Sequence, residues 1–82
     1  MEPNEKLDLI HAGLDEKKGV DVVTLDVSRQ TQMMDYLVIC TGTSSRHNQT
    51  IAEGIDERLR KQGVRPLHIE GNKEGEWILL DY

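Results

Sequence analysis

The stretch Asp35-Tyr36-Leu37-Val38-Ile39-Cys40-Thr41-Gly42, followed by Thr43-Ser44-Ser45-Arg46-His47 and a long amphipathic run to Gln62-Gly63, decides the fold. Leu37 to Cys40 is a continuous apolar run, which predicts a strand covered on both faces. Gly42 ends it, where we expect a backbone angle that a side chain would oppose. The hydroxyls of Thr43, Ser44 and Ser45 can accept hydrogen bonds from the free N–H groups of a first helical turn. Ile51, Ala52, Ile55 and Leu59 then recur at helical spacing, and Gly63 is a C-cap candidate. The opposite face carries Glu53, Asp56, Glu57, Arg58, Arg60 and Lys61. A strand, a turn and a helix in immediate succession are half of a β-α-β crossover, so the chain has α/β character.

On the N-terminal side, Asn4 is positioned to cap a helix starting at Glu5. Leu7, Ile10 and Leu14 form its apolar stripe, with His11 beside it as a packed or partly exposed residue rather than a metal ligand. Gly13 weakens this helix by about 1 kcal/mol relative to alanine. Lys17-Lys18-Gly19 is a stop: cations at the negative end of the dipole, then a glycine. Val20 to Val27 reads as a strand, with Asp21, Thr24 and Asp26 supplying partial alternation. In the polar connection that follows, Met33 and Met34 could close the core edge or contact a partner, and packing is the expectation.

On the C-terminal side, Val64-Arg65-Pro66 leads into a strand from Leu67 to Glu70, with proline at its mouth. Gly71-Asn72-Lys73-Glu74-Gly75 is turn chemistry, and Glu76 to Tyr82 is the last strand, so the two should form an antiparallel hairpin. Residues 1–82 therefore read as a single α/β domain in the order α-β-β-α-β-β. The chain stops on a strand with no polar tail, so we expect a domain lacking a C-terminal strand and tail. A bare apolar edge recruits another chain, which predicts a homodimer or strand-exchanged dimer.

With 82 residues and no phenylalanine, the core is thin and aliphatic. The formal net charge of -5 disfavours sequence-independent nucleic-acid binding, which needs clustered Lys and Arg. It suits a basic protein partner, or simply keeps the chain in solution. Cys40 is the only cysteine, so no internal disulfide can form; inside an apolar strand it reads as a small core residue. The sequence has no signal-peptide pattern and no long apolar span, so neither a membrane nor an oxidising compartment is indicated and a cytoplasmic setting is expected.

Candidate chemistry is sparse. The Gly42–Ser45 turn at a helix start could cradle a phosphate, but it lacks the lysine and the glycine pattern of a Walker loop, and plain capping explains it. Nucleotidyl transfer needs carboxylates converging on magnesium. Asp21 and Asp26 are five apart on one strand, Asp81 stands alone on another, and adjacent Asp56 and Glu57 diverge on a helix. Cys40, His47 and His68 have no metal-ligand spacing. We therefore expect no catalytic residues, no cofactor and no metal. The remaining signal is a surface: alternation puts Trp77, Leu79 and Asp81 on one face of the last strand and Ile78, Leu80 and Tyr82 on the other. An aromatic sharing a face with acidic groups suits a basic partner; the competing reading is that Trp77 is the main core residue.

The 35–47 stretch resembles the signature of the Iojap-like ribosomal silencing factors. So do Pro66-Leu67 to Glu70-Gly71 and the end Glu74-Gly75-Glu76-Trp77-Ile78-Leu79-Leu80-Asp81-Tyr82, and the likeness runs from about Leu7 onward. The resemblance implies a mixed β-sheet with flanking helices, related to nucleotidyltransferases but without their catalytic carboxylates. It implies binding to the large ribosomal subunit through ribosomal protein number fourteen, blocking subunit joining and repressing translation under nutrient limitation. It also implies a partner-binding set of Glu70, Gly71, Trp77, Leu79, Asp81 and Tyr82. The alternative from the residues is a small nucleotide-binding or nucleotidyl-transfer domain using the Gly42–Ser45 turn.

Overall fold

A computed structural model describes residues 1–82. The elements are α1 (Pro3–Glu16), β1 (Val20–Asp26), β2 (Tyr36–Thr41), α2 (Ser45–Lys61), β3 (His68–Gly71) and β4 (Ile78–Asp81), the order read from the sequence. The core sits where α2 meets α1 and the inner faces of β2 and β4. Leu14, Ile51, Ile55 and Leu59 are its buried centre, and Leu9, Ile10, Val38, Cys40, Val64, Leu80 and Tyr82 pack around them. Leu59 is fully enclosed at 0% exposure. On α1 it is Leu9, not Leu7, that joins Ile10 and Leu14 on the cluster.

The strands form two antiparallel ladders, β1 with β2 and β3 with β4. The crossover expected from β2-α2-β3 therefore makes no parallel ladder between them. What unites the pairs is the buried cluster of α1 and α2, against which Val38 and Cys40 of β2 and Leu80 of β4 all pack. β1 is not the regular strand expected. Val20 pairs with Thr41 and Val23 with Ile39, so β1 carries one extra residue there, a bulge with Asp21 at φ 51°.

Both helix ends differ in detail from the reading. α1 begins at Pro3 with Glu2 as N-cap, not at Glu5 behind Asn4; proline at the first turn loses no hydrogen bond, because that N–H has no helical partner. Asn4 instead accepts a 2.9 Å hydrogen bond from the Tyr36 hydroxyl. At the other end of α1 the left-handed residue is Lys18, at φ 60°, not Gly19. Gly19 N–H closes the turn on the Leu14 carbonyl at 2.8 Å, and a Cβ there would stand 3.2 Å from Leu14 Cδ2. Gly63 caps α2 as expected, at φ 77°. Its N–H reaches the Arg60 carbonyl, the Val64 N–H reaches that of Leu59, and Val64 packs back on the core.

Gly13 is buried against α2, where a Cβ would lie 3.1 Å from Ile55 Cγ1. The methionines do not close the core edge: Met33 is 90% exposed and Met34 is also in solvent. His11 is partly buried beside the stripe and meets Thr24 Oγ1 at 2.7 Å, tying α1 to β1.

Candidate functional site

The helices cover one face of each ladder and leave the other open. On β1 and β2, Val23 stands opposite Ile39 and Leu25 opposite Leu37, and all four are exposed. Thr24, between Val23 and Leu25, turns inward to His11. Ile78 and Leu80 of β4, and Tyr82 just after it, are half-buried while Leu79 and Asp81 are exposed. Glu70 pairs with Leu79 and His68 with Asp81. Trp77, one residue before β4, is 52% exposed. The β1–β2 ladder thus exposes a row of aliphatic side chains, and the β3–β4 ladder exposes Leu79 and two carboxylates with a half-exposed tryptophan just before β4. Such a surface offers a rigid apolar anchor and charge-assisted acceptors together.

The structure pairs Glu70 with Leu79 and leaves Leu79, Asp81 and Glu70 exposed, with half-exposed Trp77 just ahead of β4. The reading of Trp77 as the main core residue does not hold; aliphatic side chains fill that place. Gly71 lies at the edge of the group, and a Cβ there would come within 2.6 Å of the Trp77 carbonyl, so it admits close backbone approach. Tyr82 points the other way. Its ring packs on the core, its hydroxyl donates to Asp56 Oδ1 at 3.1 Å, and its carbonyl accepts from Lys6 Nζ. Burial first, then the Asp56 charge and hydrogen bond, push its phenol well above the ordinary range, with Arg60 opposing.

The α2 entrance is built as a cap. Ser44 Oγ accepts from the His47 N–H at 3.0 Å and the Ser44 carbonyl accepts from the Asn48 N–H. His47 Nδ1 accepts from the Thr43 N–H at 2.9 Å, and Nε2 donates to the Lys17 carbonyl at 2.7 Å. The donors of Thr43, His47 and Asn48 are therefore engaged within the chain. Gly42 has no positive φ, so the expected reason for it is corrected. A Cβ there would overlap Asn48 Oδ1 outright. Cys40 is half-buried behind this turn, and burial raises its thiol above the ordinary range, away from nucleophilic character. No three carboxylate, histidine or cysteine side chains gather as a metal site.

Sequence reasoning passed over Asn48. Its Nδ2 donates to the Gly75 carbonyl at 3.0 Å and the Glu76 carbonyl at 3.2 Å. A polar residue in a first helical turn gives no sign that it reaches a hairpin 27 residues away.

These features define a class: a small α/β domain with helices on one side of its antiparallel strand pairs and exposed apolar residues on the other. The chain belongs to the RsfS family, ribosomal silencing factor during starvation, whose model matches residues 1–82. It is 33% identical to ribosomal silencing factor RsfS of Chromobacterium violaceum over 81 residues, covering 99% of this chain and 66% of that protein. With the Bacillus subtilis protein of the same name it is 31% identical, covering 99% and 69%. A crystal structure of a Chromobacterium violaceum protein matches with a TM-score of 0.93 at 33% identity, covering 99% of this chain and 68% of that one. The chain thus spans about two thirds of the length of these relatives.

Proposed function

We propose that this chain binds the large ribosomal subunit through ribosomal protein number fourteen, using the open face around Trp77, and so hinders joining of the small subunit. Translation falls by occlusion, with no bond made or broken, and the setting is the cytoplasm. The observation that carries this reading is the half-exposed Trp77 just before β4, with Leu79 and Asp81 of that strand also exposed. Membership of a ribosomal silencing family supports it, as does a formal net charge of -5 that favours a basic partner. No helix is long and apolar enough to cross a membrane.

Within this reading Trp77 is the anchor, Asp81 and Glu70 accept hydrogen bonds from Lys or Arg, and Leu79 completes the apolar contact. Gly71 keeps the backbone close, and Tyr82 holds β4 on α2 from behind. Co-sedimentation with isolated bacterial large subunits tests the proposal, alongside light scattering to follow subunit joining. We expect saturable co-sedimentation and slower joining. Neither effect at micromolar chain, or saturable micromolar nucleotide binding weakened by Ser44→Ala, would refute it and favour the nucleotide-binding alternative.

A further inference from the structure

We infer that Asn48 is a positioning residue for partner binding: from the first turn of α2 it fixes the peptide that launches Trp77. The inference rests on the proposed role of Trp77. The peptide between Glu76 and Trp77 is gripped from both sides. Its carbonyl accepts from Asn48 Nδ2 at 3.2 Å, and its N–H lies 3.5 Å from Asn72 Oδ1. Asn48 Nδ2 also holds the Gly75 carbonyl, and Asn72 Oδ1 accepts from the Glu76 N–H at 2.8 Å. One side chain thus spans two successive carbonyls of the turn, and the other spans two successive N–H groups.

Three glycines make room for this grip. Gly42 leaves the space that Asn48 Oδ1 fills. Gly75, at φ 74°, lets the turn pass over α2, where a Cβ would meet Gln49 Nε2 at 2.8 Å. Gly71 brings β3 against the Trp77 carbonyl. None of these contacts touches the Trp77 ring, which remains half in solvent. Without them the ring hangs on a turn free to sample other orientations, and a partner must order it on binding. Holding an anchor ready in its bound direction removes that ordering cost. The chemistry is specific to an amide: aspartate has nearly the same shape but would face two carbonyl oxygens with a carboxylate.

The chain's single tryptophan makes the test direct. The variants are Asn48→Ala, Asn48→Asp, Trp77→Ala and the double Asn48→Ala/Trp77→Ala. Folding is followed by circular dichroism, Trp77 mobility by fluorescence anisotropy of the free chain, and affinity by co-sedimentation with bacterial large subunits. We expect Asn48→Ala to stay folded, to lower the anisotropy and to weaken binding by roughly five- to tenfold, the range set by loss of preorganisation. Asn48→Asp should be at least as weak. In the Trp77→Ala background, Asn48→Ala should have less than about a twofold further effect, because the two act as one unit. An equal loss in both backgrounds, or unchanged anisotropy and affinity in Asn48→Ala, overturns the inference. If Trp77→Ala alone leaves binding intact, the anchor reading fails instead, and anisotropy alone then decides whether Asn48 fixes the ring. Should Asn48→Ala melt below the assay temperature, Gly42→Ala, which displaces the same side chain, takes its place under the same criteria.

Discussion

Replacing Gly13 by alanine sets local propensity against packing. In an isolated helix the change gains about 1 kcal/mol. Here Gly13 faces α2, and the new methyl would lie 3.1 Å from Ile55 Cγ1 and 3.2 Å from Ile55 Cα. Carbon atoms rest at about 3.5–4.0 Å, so roughly half an ångström must be found. A small swing of the Ile55 side chain relieves the first overlap. The second involves the α2 backbone, which no side-chain motion can move, so the helices must part. That separation loosens Leu14, Ile55 and Leu59, three of the four buried core residues. Overpacking of this kind costs about 1–3 kcal/mol. Set against the propensity gain, Gly13→Ala should destabilise by about 1 kcal/mol. With a urea slope of about 1 kcal/mol per molar for a small domain, the midpoint should fall by roughly 1 M. A midpoint that holds or rises at unchanged slope refutes the reasoning and shows that the helix packing yields freely.

Trp77→Ala should weaken co-sedimentation with large subunits by about 2 kcal/mol or more, the hot-spot threshold, while the chain keeps a cooperative melt by circular dichroism. Loss of the fold would return Trp77 to the core. Asp81→Asn should weaken binding chiefly at low salt, because exposed charges are screened within about 10 Å at 0.1 M; a deficit that does not change with salt would refute the charge role. Tyr82 gives a pH signature. Its folded phenol lies above the ordinary value of 10.0, so its contribution is fully present below that value and lost as pH rises through the higher folded one. Absorbance titration should therefore show Tyr82 ionising above the ordinary tyrosine range, and Tyr82→Phe should flatten the alkaline decline in stability. Each strand has a single hydrogen-bonded neighbour, so the free edges predict self-association at high concentration; a monomeric sedimentation profile with protected β4 amides would count against it.

The sequence by itself determined the element order, the strand-turn-helix centre and the Gly63 cap. Each is written in local signals: an apolar run, hydroxyls before a 3.6-residue period, a glycine after it. It also separated Leu79 and Asp81 from Leu80 and Tyr82 by strand alternation, but which set faces out was decided only when Leu80 and Tyr82 packed on the core. Tertiary structure alone decided the rest. Gly13 and Gly42 serve close approaches to Ile55 and Asn48, which arise only when distant elements meet. The Asp21 bulge follows from pairing with β2, and the exposure of Met33 and Met34 from a core already filled by α1, α2 and the inner strand faces. Asn48 was invisible for the same reason. Its partners lie across the chain in the turn before Trp77, and a sequence records the donor but not the carbonyls that folding brings to it.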